Sequence, residues 1–398
     1  MLLPLLCWWL LSDDGSGGGF LAFVSGIGAG IGFGVVVTSI PHSMVITVEK
    51  TIRRLLSINS FQGSLMEHDY LYQSLLDEIF TNAGQACYDA YEVFVDNMIS
   101  GKVSFVLAGL TMTNVVSRLS QLNDIQSMNL AQITLKKLEK NPIFEKHIAD
   151  LIQLVVEIVE RHGFASEAAK TLATLPLETN STYNTPLFKF DTYVKIARLF
   201  LAADDVDQAE IYINRAAVLQ AKITAQQSNV AHRMCYARIL ERKHKFVEAA
   251  KQYVDLSAIP YVSMPVLQRA IICTILSPVC ELRSALLAQL YQDPRIKSLL
   301  AHEIIEKMHL LIVVKRPELQ QFETLLQEHH KTITADGLSI LDRAIIEHNV
   351  MAGDKVCDII AFDALAAMSG TATHLTELVA ARMIAEGRLD GFIGEKIN

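Results

Sequence analysis

The chain has 398 residues, of which 51% are apolar, and its formal net charge is −8 at pH 7. A chain of this length and hydrophobicity buries a large core and is expected to form two or three domains. The negative charge argues against a nucleic-acid ligand, because phosphate contacts need clustered Lys and Arg. Six scattered cysteines without a CxxC pair are typical of a reducing compartment, so we expect no disulfide framework.

Residues 1–66 are predicted to be an atypical Gly-rich apolar extension. The first 49 residues contain no Lys or Arg and nine of the twenty glycines. Phe20–Ile40 is long enough to cross a bilayer, although its alternating glycines leave little apolar bulk to face lipid. Two interpretations stay open at this point: a membrane anchor, or an extension without a native role. In the first case, the basic residues Lys50, Arg53 and Arg54 would keep the rest of the chain in the cytosol.

Residues 67–331 read as a helical-repeat solenoid. Apolar residues recur three and four apart, and the helical pattern is interrupted by polar breaks at Ala203–Asp205 and Lys243–Lys245. Small residues recur with periods of 41 and 40, which predicts stacked helical hairpins of the tetratricopeptide-like (TPR-like) kind. The repeating residues are Val156, Ala197 and Ala237, each twelve residues before Ala168, Ala209 and Ala249.

The segment Thr334–Asn349 predicts the start of a helix. Asp336-Gly337 is typical of a turn. Ser339, followed three residues later by Asp342, predicts an N-terminal cap with an acidic residue in the first helical turn.

The same segment continues as an amphipathic helix. Arg343 and Glu347 are four residues apart, so we expect them to pair in solvent on the polar face. The residues expected on the other face at helical spacing are Ile340, Leu341, Ala344, Ile345 and His348.

After this helix the pattern alternates between helix and strand. We predict a strand over Val356–Ile360, a helix over Phe362–Met368, a helix over Thr373–Glu386, and a turn followed by a strand over Gly387–Ile393. This is the element order of a winged helix. The predicted fold class is therefore all-α dominated: an α-solenoid of TPR-like helical hairpins, followed by a winged-helix domain with a small β-hairpin.

Motifs of known enzyme classes are absent from the sequence. It contains no HExxH, GxSxG or Walker motif. The nearest approach to a metal-binding helix face is His302, Glu306 and His309, and the pair His329-His330 is adjacent rather than spaced as HxH. We expect no catalytic residue, no cofactor and no metal, and hence no enzyme.

The predicted winged helix is unsuited to DNA. Residues 334–398 carry five Lys and Arg against ten Asp and Glu, so phosphate repulsion would oppose docking. Protein recognition is the better interpretation of this domain.

Several strings resemble the PCI-domain family of large protein complexes, and among them the subunit 4 family of the COP9 signalosome most closely. The resemblance covers roughly residues 71–393. The strings that carry it are Thr192–Leu199, Ala209–Ala216, Cys235–Arg238, Glu248–Ala250, Ile305–Met308, Thr334–Asn349, Glu386–Arg388 and Gly391–Ile393.

The resemblance implies a non-catalytic scaffold of the complex that removes a ubiquitin-like modifier from cullin-RING ubiquitin ligases. The implied partners are the other signalosome subunits and the cullin-RING ligases, with no nucleic acid and no membrane, in the cytoplasm and nucleus. The alternatives are a PCI scaffold subunit of the proteasome lid and a membrane-anchored helical adaptor.

The resemblance also implies that residues 332–398 are the winged-helix part of a PCI domain. The family has a returning strand and a long helix after the position of Ile393, so we expect a truncated domain and weakened assembly. The family-motif residues, which we expect to pack against other subunits, are Asp336, Gly337, Ser339, Leu341, Asp342, Arg343, Glu347, His348, Asn349, Gly387, Arg388, Gly391, Phe392 and Ile393.

Overall fold

The structure is a computed structural model that describes residues 47–81, 84–139, 141–178, 184–224, 226–260, 263–357 and 359–394. Its first nine helices are α1 (Val48–Ser60), α2 (Leu65–Phe80), α3 (Gln85–Ile99), α4 (Phe105–Leu119), α5 (Asp124–Leu138), α6 (Glu145–Arg161), α7 (Ala165–Ala173), α8 (Pro186–Ala202) and α9 (Val206–Leu219).

Nine further helices follow in the described residues. They are α10 (Gln226–Arg242), α11 (Phe246–Ser257), α12 (Ser263–Leu276), α13 (Glu281–Gln292), α14 (His302–His309), α15 (Gln320–Glu323), α16 (Ile340–Asp354), α17 (Phe362–Ser369) and α18 (Thr373–Ala385). Short 3₁₀ segments connect several of them, including Glu328–Lys331 just before α16. The predicted all-α solenoid is confirmed at this level.

Side-chain caps determine where many of these helices begin. Ser64 accepts a hydrogen bond from the Glu67 backbone N–H at 3.3 Å, and the Glu67 carboxylate accepts one from the Ser64 backbone N–H at 2.6 Å. This reciprocal pair satisfies two of the backbone donors that every helix start leaves open. Asn123 and Asp205 cap α5 and α9 by a single bond each. The side-chain oxygen accepts from the backbone N–H of the residue three positions further along the chain.

The predicted repeat is visible in the turns between paired helices. Gly163, Asp204 and His244 all have positive φ, of 84°, 63° and 57°, and they are 41 and 40 residues apart. At each turn the following backbone N–H bonds back across the helix end, as from Asp205 to the Phe200 carbonyl at 2.9 Å. The six small residues that defined the repeat in the sequence are all fully buried. They lie where paired helices approach closely.

Polar contacts between successive hairpins recur at a similar separation along the chain. Arg161 Nη1 lies 2.7 Å from Asp124 Oδ1, and Arg198 Nη2 lies 2.8 Å from Glu160 Oε1. Such exposed pairs contribute little to stability, but they mark the register of one hairpin on the next. Further pairs of this kind are Arg118–Asp77, Lys137–Asp96, Arg242–Asp204 and the buried Tyr91–Thr134.

The buried apolar residues form three clusters that overlap along the chain. The first runs from Leu55 to Ile239, the second from Val230 to Ile345, and the third from Leu338 to Met383. Helix α10 contributes to the first and second clusters, and α16 contributes to the second and third. Each shared helix therefore holds one part of the core to the next.

The predicted β-hairpin is not present among the described residues. Within the described ranges, β pairing is limited to one isolated bridge between Ile333 and Ser339. At Val356–Ile360 the backbone turns back on α16 instead, since the amides of Val356 and Cys357 both bond to the Gly353 carbonyl at 3.0 Å.

The exposure of the predicted strands explains why they are absent. The side chains of Val356, Ile359 and Phe392 are 80%, 93% and 92% exposed, so no sheet face buries them. The predicted turn at Gly387 is present, with φ of 67°, and the Arg388 amide bonds to the Met383 carbonyl at 2.8 Å. That turn brings Arg388 to Glu347 of α16.

Helix α1 lies inside the segment that the sequence analysis set apart as an extension. Its Leu55 and Ile58 belong to the first core cluster, and Asn59 Nδ2 donates to Asn97 Oδ1 of α3 at 2.9 Å. The apolar run Phe20–Ile40 lies outside the described residues. Among the residues that are described, no helix combines the length and the hydrophobicity that crossing a membrane requires.

Candidate functional site

The turn before α16 has the expected geometry. Gly337 has φ of 80°, and its amide bonds to the Thr334 carbonyl at 2.9 Å. Ser339 Oγ accepts from the Asp342 amide at 3.0 Å and donates to the Asp342 carboxylate at 2.6 Å. Glycine supplies the left-handed conformation, and serine supplies the cap. We call residues 332–394, which contain α16, α17 and α18, the terminal unit.

Asp336 ties the start of α16 to α18. Its Oδ2 accepts from Arg343 Nη2 at 2.6 Å and from Arg382 Nη1 at 2.8 Å. The hydrogen bond from Arg382 is the main reason why the pKa of Asp336 lies below its usual range, with the charge of Arg343 adding to it. Arg343 therefore stabilises the turn before α16 by pairing with Asp336.

The prediction that Arg343 and Glu347 pair with each other in solvent is wrong. The Glu347 side chain is 3% exposed, and its carboxylate accepts from Arg388 Nη1 at 2.7 Å and Nη2 at 3.1 Å. It also accepts from the backbone N–H of Val279 at 2.9 Å. The four-residue spacing was compatible with a local pair, but the turn at Gly387 returns Arg388 to α16 and buries the carboxylate against the start of α13.

Asn349 and His348 hold α16 against the segment that follows α14. Asn349 accepts from the Val314 amide and donates to the Val314 carbonyl, both at 2.9 Å, and it donates to Ser369 Oγ at 2.9 Å. His348 Nε2 lies 2.9 Å from the Ile312 carbonyl oxygen, to which it donates. Burial lowers the pKa of His348 to about 4.

The predicted site residues divide into three groups. Glu347, His348, Asn349 and Leu341 are buried, and the polar side chains among them are hydrogen-bonded within this chain. The half-buried residues are Asp336, Ser339, Asp342, Arg343 and Arg388. The exposed residues are Gly337, Gly387, Gly391, Phe392 and Ile393. The buried group therefore serves contacts within the chain, whereas the exposed group is open to a protein partner.

A second polar cluster was missed by the sequence analysis. Glu241, His329 and His330 place ligand-type atoms within 4.8 Å of one another, the one such group of three among the described residues. Tyr253 donates a hydrogen bond to Glu241, and Arg269 Nη1 lies 3.0 and 3.2 Å from its two oxygens. We call these five residues the Glu241 cluster. Its members come from α10, α11, α12 and the 3₁₀ segment Glu328–Lys331.

The hydrogen-bond directions in the cluster disfavour a bound metal. His330 Nδ1 accepts from the Gln327 amide at 3.1 Å, so its Nε2 carries the proton and donates to Glu241 Oε1 at 2.9 Å. A metal ligand would need that nitrogen free. The guanidinium of Arg269 on the same carboxylate would also repel a cation.

The same contacts set the ionisation of the carboxyl group. Burial raises the pKa of Glu241, but the nearby His329 ring, with Nε2 3.4 Å from Oε1, the hydrogen bond from His330 and the charge of Arg269 together hold that pKa well below its usual value. The cluster is therefore a carboxylate surrounded by donors.

The helix face of His302, Glu306 and His309 was the nearest approach to a metal site in the sequence. Their ligand-type atoms do not come together in the described residues, and His309 stacks on Tyr291 at 4.7 Å between ring centroids.

Comparison with known proteins decides the family. The family model described as PSMD12/CSN4, N-terminal, matches residues 52–264, which is more than half of the chain. A Drosophila melanogaster protein named COP9 signalosome complex subunit 4 is 39% identical over 347 residues, covering 86% of this chain and 85% of the relative. The chain belongs to the COP9 signalosome subunit 4 family.

More distant members of the subunit 4 family match over a similar extent. The Dictyostelium discoideum subunit 4 is 32% identical over 328 residues, which is 81% of this chain and 83% of that protein. The Arabidopsis thaliana subunit 4 is 31% identical over 315 residues, which is 76% of this chain and 79% of that protein. The resemblance predicted from short strings is thus confirmed over most of the chain.

In this member of the subunit 4 family, two sets of contacts hold α16 in place. The Glu241 cluster joins α10 to the segment just before α16, and the buried motif residues on α16 join it to α13, to residues 312–314 and to α17. Both sets lie at the junction between the helical repeats and the terminal unit.

Proposed function

We propose that this chain is a non-catalytic scaffold subunit of the COP9 signalosome, which supports removal of a ubiquitin-like modifier from cullin-RING ligases through protein–protein contacts. The main support for this proposal is the 39% identity to a subunit 4 protein over 86% of the chain. The internal use of the buried motif residues supports a structural role for them. Acting with that complex places the protein in the cytoplasm and nucleus.

The proposal assigns a different role to each of two parts of the chain. Residues 67–331, with α1 packed in front of them, are proposed to act as the solenoid, and residues 332–398 are proposed to be the winged-helix part of a PCI domain. The order α16, α17, α18 corresponds to its three helices. The excess of acidic over basic residues in this part favours protein partners over nucleic acid.

The exposed apolar residues of the terminal unit supply a contact surface for neighbouring subunits. Ile359 and Phe392 are almost fully exposed, and both lie in extended or bent backbone with no ladder partner among the described residues. A neighbour's strand added to such a segment satisfies backbone groups and buries these side chains. We propose that the winged-helix strands form on assembly.

A second exposed apolar surface lies at the first helical hairpin. A groove between α1 and α2 is lined mainly by apolar side chains, including Ile58, Phe61, Met66 and Tyr70. Met66 and Tyr70 are both 71% exposed. An apolar groove of this kind is a candidate contact surface for a protein partner.

Affinity purification of the tagged full chain from cells, followed by quantitative mass spectrometry, tests the assignment. We expect the other signalosome subunits to co-purify with the chain, and cullins to be recovered in lower amounts. Recovery of proteasome-lid subunits instead would support the lid alternative, which the identity to subunit 4 proteins does not favour. Recovery in the carbonate-resistant membrane fraction would support the anchored adaptor.

The non-catalytic role has its own test. The purified chain, incubated with a modified cullin, should release none of the modifier, whereas a signalosome preparation that contains this chain should release it. Release by the isolated chain that persists after size-exclusion chromatography would overturn the non-enzyme assignment.

A further inference from the structure

The segment Gln327–Thr332 connects the helical repeats to the terminal unit. His330 on this segment is 1% exposed and reaches Glu241 of α10, 89 residues earlier in the chain. The His329 backbone carbonyl also accepts from His244, at 3.2 Å. On the other side, the Ile340 amide at the start of α16 bonds to the Thr332 carbonyl at 3.3 Å.

Protonation of His330 conflicts with its hydrogen bonds. Nε2 already donates to Glu241, so an added proton must go to Nδ1, which now accepts from the Gln327 amide. Two N–H groups would then face each other at the 3.1 Å that separates Nδ1 from the Gln327 nitrogen. The added charge would also be buried close to Arg269, whose guanidinium already pairs with Glu241.

We propose that the Glu241 cluster is a proton-released latch: protonation of His330 detaches the segment Gln327–Thr332 from α10 and loosens the terminal unit before the helical repeats unfold.

The ionisation of the surrounding groups agrees with this geometry. Burial lowers the pKa of His330, and the neighbouring His329 and Arg269 lower it further, against the opposing hydrogen bond and charge of Glu241. Tyr253, from α11, stays neutral because burial and the Glu241 charge raise its pKa. A histidine with a lowered folded-state pKa stabilises the fold fully above its unfolded pKa, near 6.5, and loses that contribution as pH falls towards the folded value.

A second buried histidine at the junction acts in the same direction. His348 donates to the Ile312 carbonyl, and burial lowers its pKa to about 4, with the charge of Arg283 from α13 adding to the effect. Its contribution is therefore also lost as pH falls below the unfolded pKa of histidine. His147 and His232 also have pKa values lowered by burial, but they lie inside α6 and α10, where release requires unfolding a 17-residue helix.

Hydrogen exchange measured by mass spectrometry on the full chain, between pH 7.5 and 5.0 with exchange times scaled for intrinsic rates, tests the latch. Protection of residues 327–345 should fall about tenfold per pH unit below 6.5, because one proton is taken up on opening. Helices α6 to α9 should keep their protection over the same range. Simultaneous loss of protection throughout the chain would overturn the proposal.

Two variants separate His330 from the other titrating groups. His330→Gln keeps an acceptor for Gln327 and a donor for Glu241, so the pH dependence of local protection should become much shallower, with His348 accounting for what remains. Gln327→Pro removes the N–H that would oppose a protonated Nδ1, at a residue whose φ of −81° suits proline. His330 should then take up a proton without releasing the segment Gln327–Thr332.

His374→Gln, on an exposed histidine of α18, is the matched control and should behave as wild type. An unchanged pH profile in His330→Gln would sink the idea.

Discussion

Asn349 shows how one side chain can join two elements. Its amide forms two hydrogen bonds with the backbone of Val314 and a third with Ser369, and the residue is fully buried. The amide group matches the donor and acceptor of a peptide unit, so it can pair with an irregular segment as a strand would. Removing it leaves buried backbone groups without partners, which costs far more than the net value of the hydrogen bonds themselves.

Asn349→Ala should therefore lower the free energy of unfolding by about 3 kcal/mol, as measured by urea titration followed by circular dichroism. Asn214→Ala is the matched control, because Asn214 is exposed on α9, and its effect should stay within about 0.5 kcal/mol. Equal effects of the two substitutions would show that the Val314 contact is unimportant.

The Glu347–Arg388 pair should behave as a buried ion pair. Arg388→Gln leaves the Glu347 carboxylate buried without its cation, and we expect a loss of about 3 kcal/mol in unfolding free energy. Arg53→Gln breaks a pair with Glu49 in which both side chains are more than 80% exposed, so it should change nothing measurable. The measurement is thermal unfolding of both variants beside wild type; a small effect of Arg388→Gln would mean that solvent reaches Glu347.

Among the elements, the hairpin turns share one backbone conformation. Three equivalent turns use a left-handed residue, and only the first of them is glycine. Asp204 and His244 occupy the same conformation at a cost that a glycine does not bear. The regular spacing of these turns, with fully buried alanines between the helices, lets each hairpin stack on the next.

Gly163→Ala should lower the unfolding free energy by about 1 kcal/mol, because alanine is strained at φ of 84° although no atom obstructs the added carbon. Gly109→Ala, inside α4, should instead raise it by about 0.5 to 1 kcal/mol, since the added carbon meets only His147 at 3.8 Å and the helix gains propensity. Chemical denaturation of the two variants checks the opposite signs. A loss from both substitutions would show that packing, rather than backbone conformation, decides the outcome.

At the scale of the whole molecule, the buried and exposed features have different roles. The Glu241 cluster and the buried motif residues determine how α16 sits on the helical repeats, whereas Ile359 and Phe392 protrude into solvent. The proposed scaffold role uses both: a defined orientation of the terminal unit, and apolar surface that a neighbour covers.

Ile359→Asp and Phe392→Asp should each reduce co-purification of the other signalosome subunits at least tenfold while leaving the unfolding midpoint of the free chain unchanged. Val218→Asp is the matched control, because Val218 is 80% exposed at the end of α9 in the helical repeats. Undiminished co-purification of both terminal-unit variants would exclude this surface from assembly.

The sequence by itself determined the features that depend on near neighbours. Helical periodicity, the Ser339 cap, the Gly337 turn and the alanine repeat are local patterns, in which the deciding interactions lie within a few residues or recur at a fixed period. The helical solenoid followed from them, whereas the family was indicated by the resemblance of short strings. Which partners distant residues take depends on how the whole chain folds. Glu347 pairs with Arg388, 41 residues away, and Glu241 meets His330, 89 residues away. Strand formation at Val356–Ile360 failed for the same physical reason, since a strand requires a partner that local sequence does not specify.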